Sequence, residues 1–281
     1  MAKRIASSLA LWAAVIAVLW CFGTTGAVAL TAILSVLTLR EFYRLQAAAD
    51  FAPFARLGMF FGGLITLAPW LEARFGGPAR HFASHSLLPL ATVVFAIRIL
   101  SERSPEKRAP ALSSTLFGLA YVALLLQYLV RIATPLPGDE IAANGRLVLC
   151  IWVVAVAKFC DTGALLAGLA AGRHRMAPSI SPKKTWEGAA GGVILAMGVG
   201  GAIAWLGRDL LPPEFTPLHA ALIAAPVAAA AIVSDLIESI IKRQANLKDS
   251  GVAVPGIGGV FDLTDSILLA APVAYFLFGL R

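Results

Sequence analysis

Apolar runs recur along the 281 residues near 5–23, 25–39, 57–71, 87–100, 111–130, 147–171, 188–207, 218–241 and 263–280, with short polar stretches between them. Several approach the roughly 20 residues that take a helix across the hydrocarbon core of a bilayer. The pattern therefore predicts about nine transmembrane helices. The runs at 25–39, 57–71 and 87–100 are short, so each could be re-entrant or could borrow flanking residues, and the count carries an error of about one. An odd number of crossings puts the two termini on opposite faces of the membrane.

Composition agrees with the pattern. Hydrophobic residues make up 59% of the chain and charged residues only 14%, with mean hydropathy +0.81, against roughly 25% charged in soluble domains. The fold class expected is all-α, a polytopic integral membrane helical bundle with no soluble domain. "AVA" at 27–29 could pass for a signal-peptidase site after the basic "MAKR" start, but another apolar run follows it, so a retained first span is the simpler expectation. Cys21, Cys150 and Cys160 are odd in number, lie in apolar runs and lack metal-ligand spacing, so they are expected to be reduced packing residues.

Charge then orients the bundle. With the N-terminus inside, sixteen Lys and Arg fall in inner loops, among them Arg40, Arg44, Arg173, Arg175, Lys183, Lys184, Lys242, Arg243 and Lys248. Six fall outside, namely Arg74, Arg80, Arg131, Arg146, Arg208 and Arg281, and Lys158 sits within a span. Under the positive-inside rule this places the loops at 172–187 and 242–261 in the cytoplasm. The net charge of +7 mostly reflects this asymmetry and attraction to anionic headgroups. No basic stripe sits on a soluble domain, so nucleic acid is not an expected partner.

A few charges remain inside the apolar runs, and they concentrate near those two loops. Asp235 follows the apolar stretch 220–233, and Glu238, Ser239 and Lys242 come three, four and seven residues later on the same helical face. Asp262 and Asp265 open the last run at a spacing of three, and Asp161 follows Lys158 by three in the sixth. A central Asp costs about 2.5–3.5 kcal/mol even on the gentler insertion scales, so such residues should face a cavity, a partner or a metal. Hard cations such as Mg²⁺ take carboxylate oxygens together with substrate phosphates, which suits this layer. The bland alternative is that the acids pair with Lys158, Lys242 and Arg243 simply to hold the bundle together. Adjacent "PGIGG" (255–259) frees the backbone to approach a ligand and offer N–H groups to phosphate. In "ISPKKTWEGAAGG" (180–192), Thr185 or Ser181 can cap a helix, and the paired lysines beside Trp186 form a phosphate-attracting, interface-anchored patch.

Together these stretches resemble the phosphatidate cytidylyltransferase (CDP-diacylglycerol synthase) family. The likeness is carried by Ser239, Lys242, Arg243, Lys248, Asp249, Gly251 and "PGIGGVFDLTD" (255–265), by "ISPKKTWEGAAGG", by "DTGALLAGLAAGRH" (161–174) and more weakly by "REFYRL" (40–45). It covers most of the chain and is densest from about 150 onward. Three positions depart from the family: Ile257 stands where His is usual, Leu263 where Arg is usual and Leu165 where Tyr is usual. Both signature carboxylates remain.

The resemblance implies transfer of CMP from CTP to phosphatidic acid, giving CDP-diacylglycerol and pyrophosphate. It implies one membrane domain, 1–281, with N-terminal helices over 1–146 and catalytic helices and loops over 147–281. Asp235 and Asp262 are expected as principal Mg²⁺ ligands, with Asp265 a third ligand or a nearby partner. Lys183, Lys184, Lys242, Arg243 and Lys248 form the phosphate clamp, Asp249 counts among the catalytic set, and Gly256, Gly258 and Gly259 let backbone approach. Asp161 is expected to orient a lysine or a metal-bound water. Partners would be CTP, phosphatidic acid and the lipid bilayer, with a homodimer as an option. The location would be the inner (plasma) membrane, with the site facing the cytoplasm. A competing reading from another class is a transporter using Asp161 and Asp235 as a proton or cation relay.

Overall fold

A computed structural model describes residues 2–76, 84–101, 104–135, 139, 141–251, 253 and 258–280. Nearly all of them are helical. The order is α1 (Ala2–Ala48), α2 (Ala55–Phe75), α3 (Ser84–Arg98), α4 (Pro105–Gly118) continuing through a wider turn into α5 (Leu124–Ala133), α6 (Ala143–Ala171), a hairpin of β1 (Arg175–Ala177) and β2 (Ser181–Thr185), α7 (Trp186–Leu206), α8 (Pro217–Gln244) and α9 (Val260–Leu277).

Every predicted apolar run falls on a helix. The first two runs meet at Gly23, whose φ of 55° and ψ of −136° are non-helical. A Cβ on Gly26 would lie 2.8 Å from the Val18 carbonyl oxygen. Eight residues of unbroken helix would separate those positions by about 12 Å, so the chain bends sharply at Gly23, where the absence of a side chain permits positive φ.

Among the described residues, six helices are long and apolar enough to cross a membrane: Trp12–Ala48, Pro105–Ala133, Ala143–Ala171, Trp186–Leu206, Pro217–Gln244 and Val260–Leu277. The protein is a multi-pass, all-α membrane protein, and these six do not establish the nine crossings expected. His85–Ser101 is apolar but short. The hairpin was not foreseen, because periodicity has little to grip in three- and five-residue strands.

The chain forms two compact units, Met1–Thr134 with Ile241–Thr264, and Pro135–Ile240 with Asp265–Arg281. In the first, an aromatic core joins Phe42, Tyr43, Phe117, Tyr121 and Phe261. The Tyr43 hydroxyl finds its partner there by donating to the Thr115 carbonyl at 3.0 Å, as a buried phenol must. In the second, Trp152 is fully buried and donates its indole N–H to the Gly200 carbonyl at 2.9 Å. Next to it α6 and α7 pack backbone to backbone. A Cβ on Gly192 would lie 2.7 Å from the Cys160 carbonyl oxygen, and one on Gly163 would lie 2.9 Å from that of Gly191. Small residues are what allow such close approach in a membrane, where helices gain little from apolar burial alone. Cys150 and Cys160 are buried free thiols, and Cys21 is an exposed one.

Candidate active site

The second unit gathers its acids around Lys158. The Lys158 ammonium donates to the Ser266 hydroxyl at 2.7 Å and lies 3.3 Å from Asp265 and 3.5 Å from Asp161. Ser234 fixes the adjoining backbone by donating its hydroxyl to the Asp265 carbonyl. One oxygen each from Asp235, Glu238 and Asp265 lies within 4.8 Å of the other two. Glu238 is fully buried and Asp265 nearly so. Hard oxygen donors this close together on rigid helices suit a divalent cation, so the residues present fit a metal. Asp235 and Asp265 were expected in this role. Glu238 was not, although its position one turn after Asp235 was the signal that could have found it.

The hairpin brings a cation to the same acids. Arg175 pairs with Thr185 and Ala177 with Ser181, and the register shifts between those pairs. This leaves the strand carrying Pro182, Lys183 and Lys184 with more residues than its partner, a bulge that re-aims side chains. Lys184 reaches Asp235 at 2.6 Å, whereas Lys183 is exposed. The hairpin is fastened at its base. Thr185 caps α7 by accepting from the Gly188 amide at 3.1 Å. Glu187 accepts from the backbone N–H of Arg173 at 3.1 Å and of His174 at 3.2 Å, and pairs with the His174 ring at 2.5 Å. The predicted helix cap is therefore present at Thr185, and Ser181 belongs to β2.

The first unit holds the rest of the signature. α8 ends at Gln244, and two residues on Asn246 has a φ of 54° that lets the Leu247 amide return to the Lys242 carbonyl, while the Asn246 amide bonds the Arg243 carbonyl, a left-handed turn that stops the helix. Lys242 then points at Asp262, 2.7 Å away. The other Asp262 oxygen, Oδ2, accepts from the Gly259 amide at 2.7 Å, the Ser250 amide at 3.1 Å and the Ser250 hydroxyl at 2.9 Å. Arg243 is exposed on the last turn of α8, and Lys248 and Asp249 are exposed on the polar stretch after it. Gly258 has a φ of 132°, a conformation open mainly to glycine. Gly256 and Ile257 lie outside the described residues. Leu263 is half-buried and Leu165 is exposed.

A profile described as "Cytidylyltransferase family" matches residues 2–280. The chain belongs to that family. Similar curated proteins carry the name phosphatidate cytidylyltransferase. One from Synechocystis sp. is 30% identical over 270 residues, spanning 87% of this chain and 85% of the relative. One from Haemophilus influenzae is 29% identical over 98% of both chains. One from Thermotoga maritima is 33% identical over 69% of this chain and 68% of its own. This membership makes the chain a nucleotidyl-transferring enzyme and decides against the transporter reading.

As a cytidylyltransferase, the chain has to offset the charge of a triphosphate and a phosphate brought together. In the second unit Lys184 is paired with Asp235, and in the first Lys242 is paired with Asp262, so each lysine is held by a carboxylate. The sequence had offered pairing of Lys242 with these acids as the bland alternative to a phosphate clamp, and had given no partner for Lys184.

Proposed function

We propose that the protein is a CTP:phosphatidate cytidylyltransferase that makes CDP-diacylglycerol for phospholipid synthesis. The observation that carries this reading is the family match over residues 2–280, with relatives named for this activity at about 30% identity over most of both chains. In the reaction, a phosphate oxygen of phosphatidic acid forms a bond to the α-phosphorus of CTP. The bond from that phosphorus to the bridging β-oxygen breaks, and pyrophosphate leaves. The attacking phosphate is already anionic near neutral pH, so the protein need not supply a general base.

The work left to the side chains is positioning and charge neutralisation. Lys183, Lys184, Lys242, Arg243 and Lys248 bind phosphate oxygens, and Gly258 and Gly259 give the backbone room to approach. Asp235, Glu238 and Asp265 would hold Mg²⁺, which when bound neutralises phosphate charge. Asp161 steadies Lys158. Asp262 also carries a formal charge suited to a cation, but Lys242 and three donors on Oδ2 occupy most of its lone pairs. We therefore assign it to holding Lys242 and Ser250. Lipid access from the bilayer fits a bundle whose catalytic helices run from 147 onward.

Purified protein in detergent with labelled CTP, phosphatidic acid and Mg²⁺ should give lipid-linked CMP and pyrophosphate in equal amounts. Absence of product, in native lipid as well, would overturn the activity.

The sixteen-to-six distribution of basic residues supports a plasma-membrane protein with this chemistry on the cytoplasmic face. With exposed Cys21 changed to serine, an impermeant thiol reagent applied to intact cells should label Ala142→Cys and leave Asn246→Cys unmodified until the cells are opened. Labelling of the second probe from outside would reverse the orientation.

A further inference from the structure

Glu41, far up the chain on α1, is tied to the signature loop. Its Oε2 accepts from the Ser250 hydroxyl at 2.8 Å and from the Phe261 amide at 2.8 Å. The second bond satisfies an N–H of the first turn of α9, a group that otherwise lacks a partner within its helix, and a carboxylate there is also favoured by the helix dipole. Ser250 is fully buried and sits between two carboxylates, donating toward Glu41 and toward Asp262 with the one proton it has. The backbone is shaped around this carboxylate. A Cβ on Gly251 would lie 2.6 Å from Glu41 Oε1, and one on Gly259 would collide with both Ser250 Oγ and Glu41 Oε2. The chain of contacts runs Glu41, Ser250, Asp262, Lys242, and ends on a cation assigned above to phosphate.

We propose that Glu41 is a positioning residue for the nucleotide: it fixes Ser250 and the start of α9, and through Asp262 it fixes the Lys242 ammonium that meets the triphosphate. This rests on the cytidylyltransferase reading given above. It extends the site to the N-terminal helices, since Glu41 touches no substrate itself and acts through the loop.

The test uses the full-length protein in detergent with CTP, phosphatidic acid and Mg²⁺. Glu41→Ala should lower kcat/KM for CTP by about 10–100-fold, as for other groups that orient a ligand-contacting residue, with KM for phosphatidic acid unchanged. Glu41→Gln keeps an oxygen that accepts from Ser250 and Phe261, and should restore CTP kinetics to within about threefold of wild type. Should Glu41→Ala fail to fold, Ser250→Ala removes the linking hydroxyl alone and should show the same CTP-specific loss. A folded Glu41→Ala with unaltered CTP kinetics overturns the proposal, as does a Glu41→Gln as impaired as the alanine variant, or a Ser250→Ala with no effect on CTP.

Hydrogen exchange of the Phe261 amide separates this failure from failure of the enzymatic reading, because it needs no turnover. Protection lost in Glu41→Ala and kept in Glu41→Gln supports the positioning role. Equal protection in all three proteins overturns it, whether or not the wild type makes product.

Discussion

Asp235→Asn should lower CMP transfer by ~10²–10³-fold at saturating Mg²⁺, the usual cost of losing one preorganised electrostatic contact in a site, while leaving insertion and melting temperature close to wild type. Asparagine keeps the shape of the side chain and removes its charge. It thereby deletes the partner that Lys184 approaches at 2.6 Å and one of the three acids lying within 4.8 Å of each other. The measurement is labelled lipid product per unit of folded protein, across a Mg²⁺ titration. Near-normal turnover would remove Asp235 from the metal-holding role. If the acids serve only to hold helices together, activity should instead follow the folded fraction.

Asp262→Asn sharpens the comparison. It should also reduce turnover, because the Lys242 ammonium at 2.7 Å loses its counter-charge and Gly259 and Ser250 lose a charged acceptor. Its dependence on Mg²⁺, however, should match wild type, whereas Asp235→Asn and Asp265→Asn should both shift it to higher concentration. A Mg²⁺ shift in Asp262→Asn as large as in Asp235→Asn would return Asp262 to the metal.

The sequence made some of this legible and hid the rest for a physical reason. Burial in lipid leaves a one-dimensional trace, so each apolar run falls on a helix, and the Lys158–Asp161 pair follows from helical spacing alone. The Thr185 cap was also readable, since a cap is a local bargain between a hydroxyl and an amide three residues on. Which helices become neighbours leaves no such trace. Lys158 meets Asp265 across 107 residues, and Glu41 meets Ser250 across 209. "REFYRL" could therefore be noticed only as a likeness, with no role for its glutamate. Nor does hydropathy reveal that Lys184 and Lys183, adjacent in sequence, part company on a bulged strand, one on an acid and one exposed.

Lys158→Met should destabilise the protein by about 3 kcal/mol, the low end of the ~3–5 kcal/mol seen when one partner of a buried ion pair is removed. The low end applies because the Lys158 side chain keeps 21% of its surface exposed and Asp161 keeps 35%. Methionine fills much of the same volume, so packing changes little and the loss is electrostatic: Asp265 and Asp161 lose the cation at 3.3 and 3.5 Å, and Ser266 loses its donor at 2.7 Å. Within a span these carboxylates have little water to turn to. Adding Asp265→Asn to Lys158→Met removes the stranded charge and should recover part of the loss. The two changes would then be non-additive by ~0.5–3 kcal/mol, as expected of groups in direct contact. Thermal melting of the two single variants and the double variant in one detergent gives the cycle. If Lys158→Met melts like wild type, or the two effects simply add, Lys158 is not what stabilises these acids inside the bundle, and the acids must draw their compensation from elsewhere in the second unit.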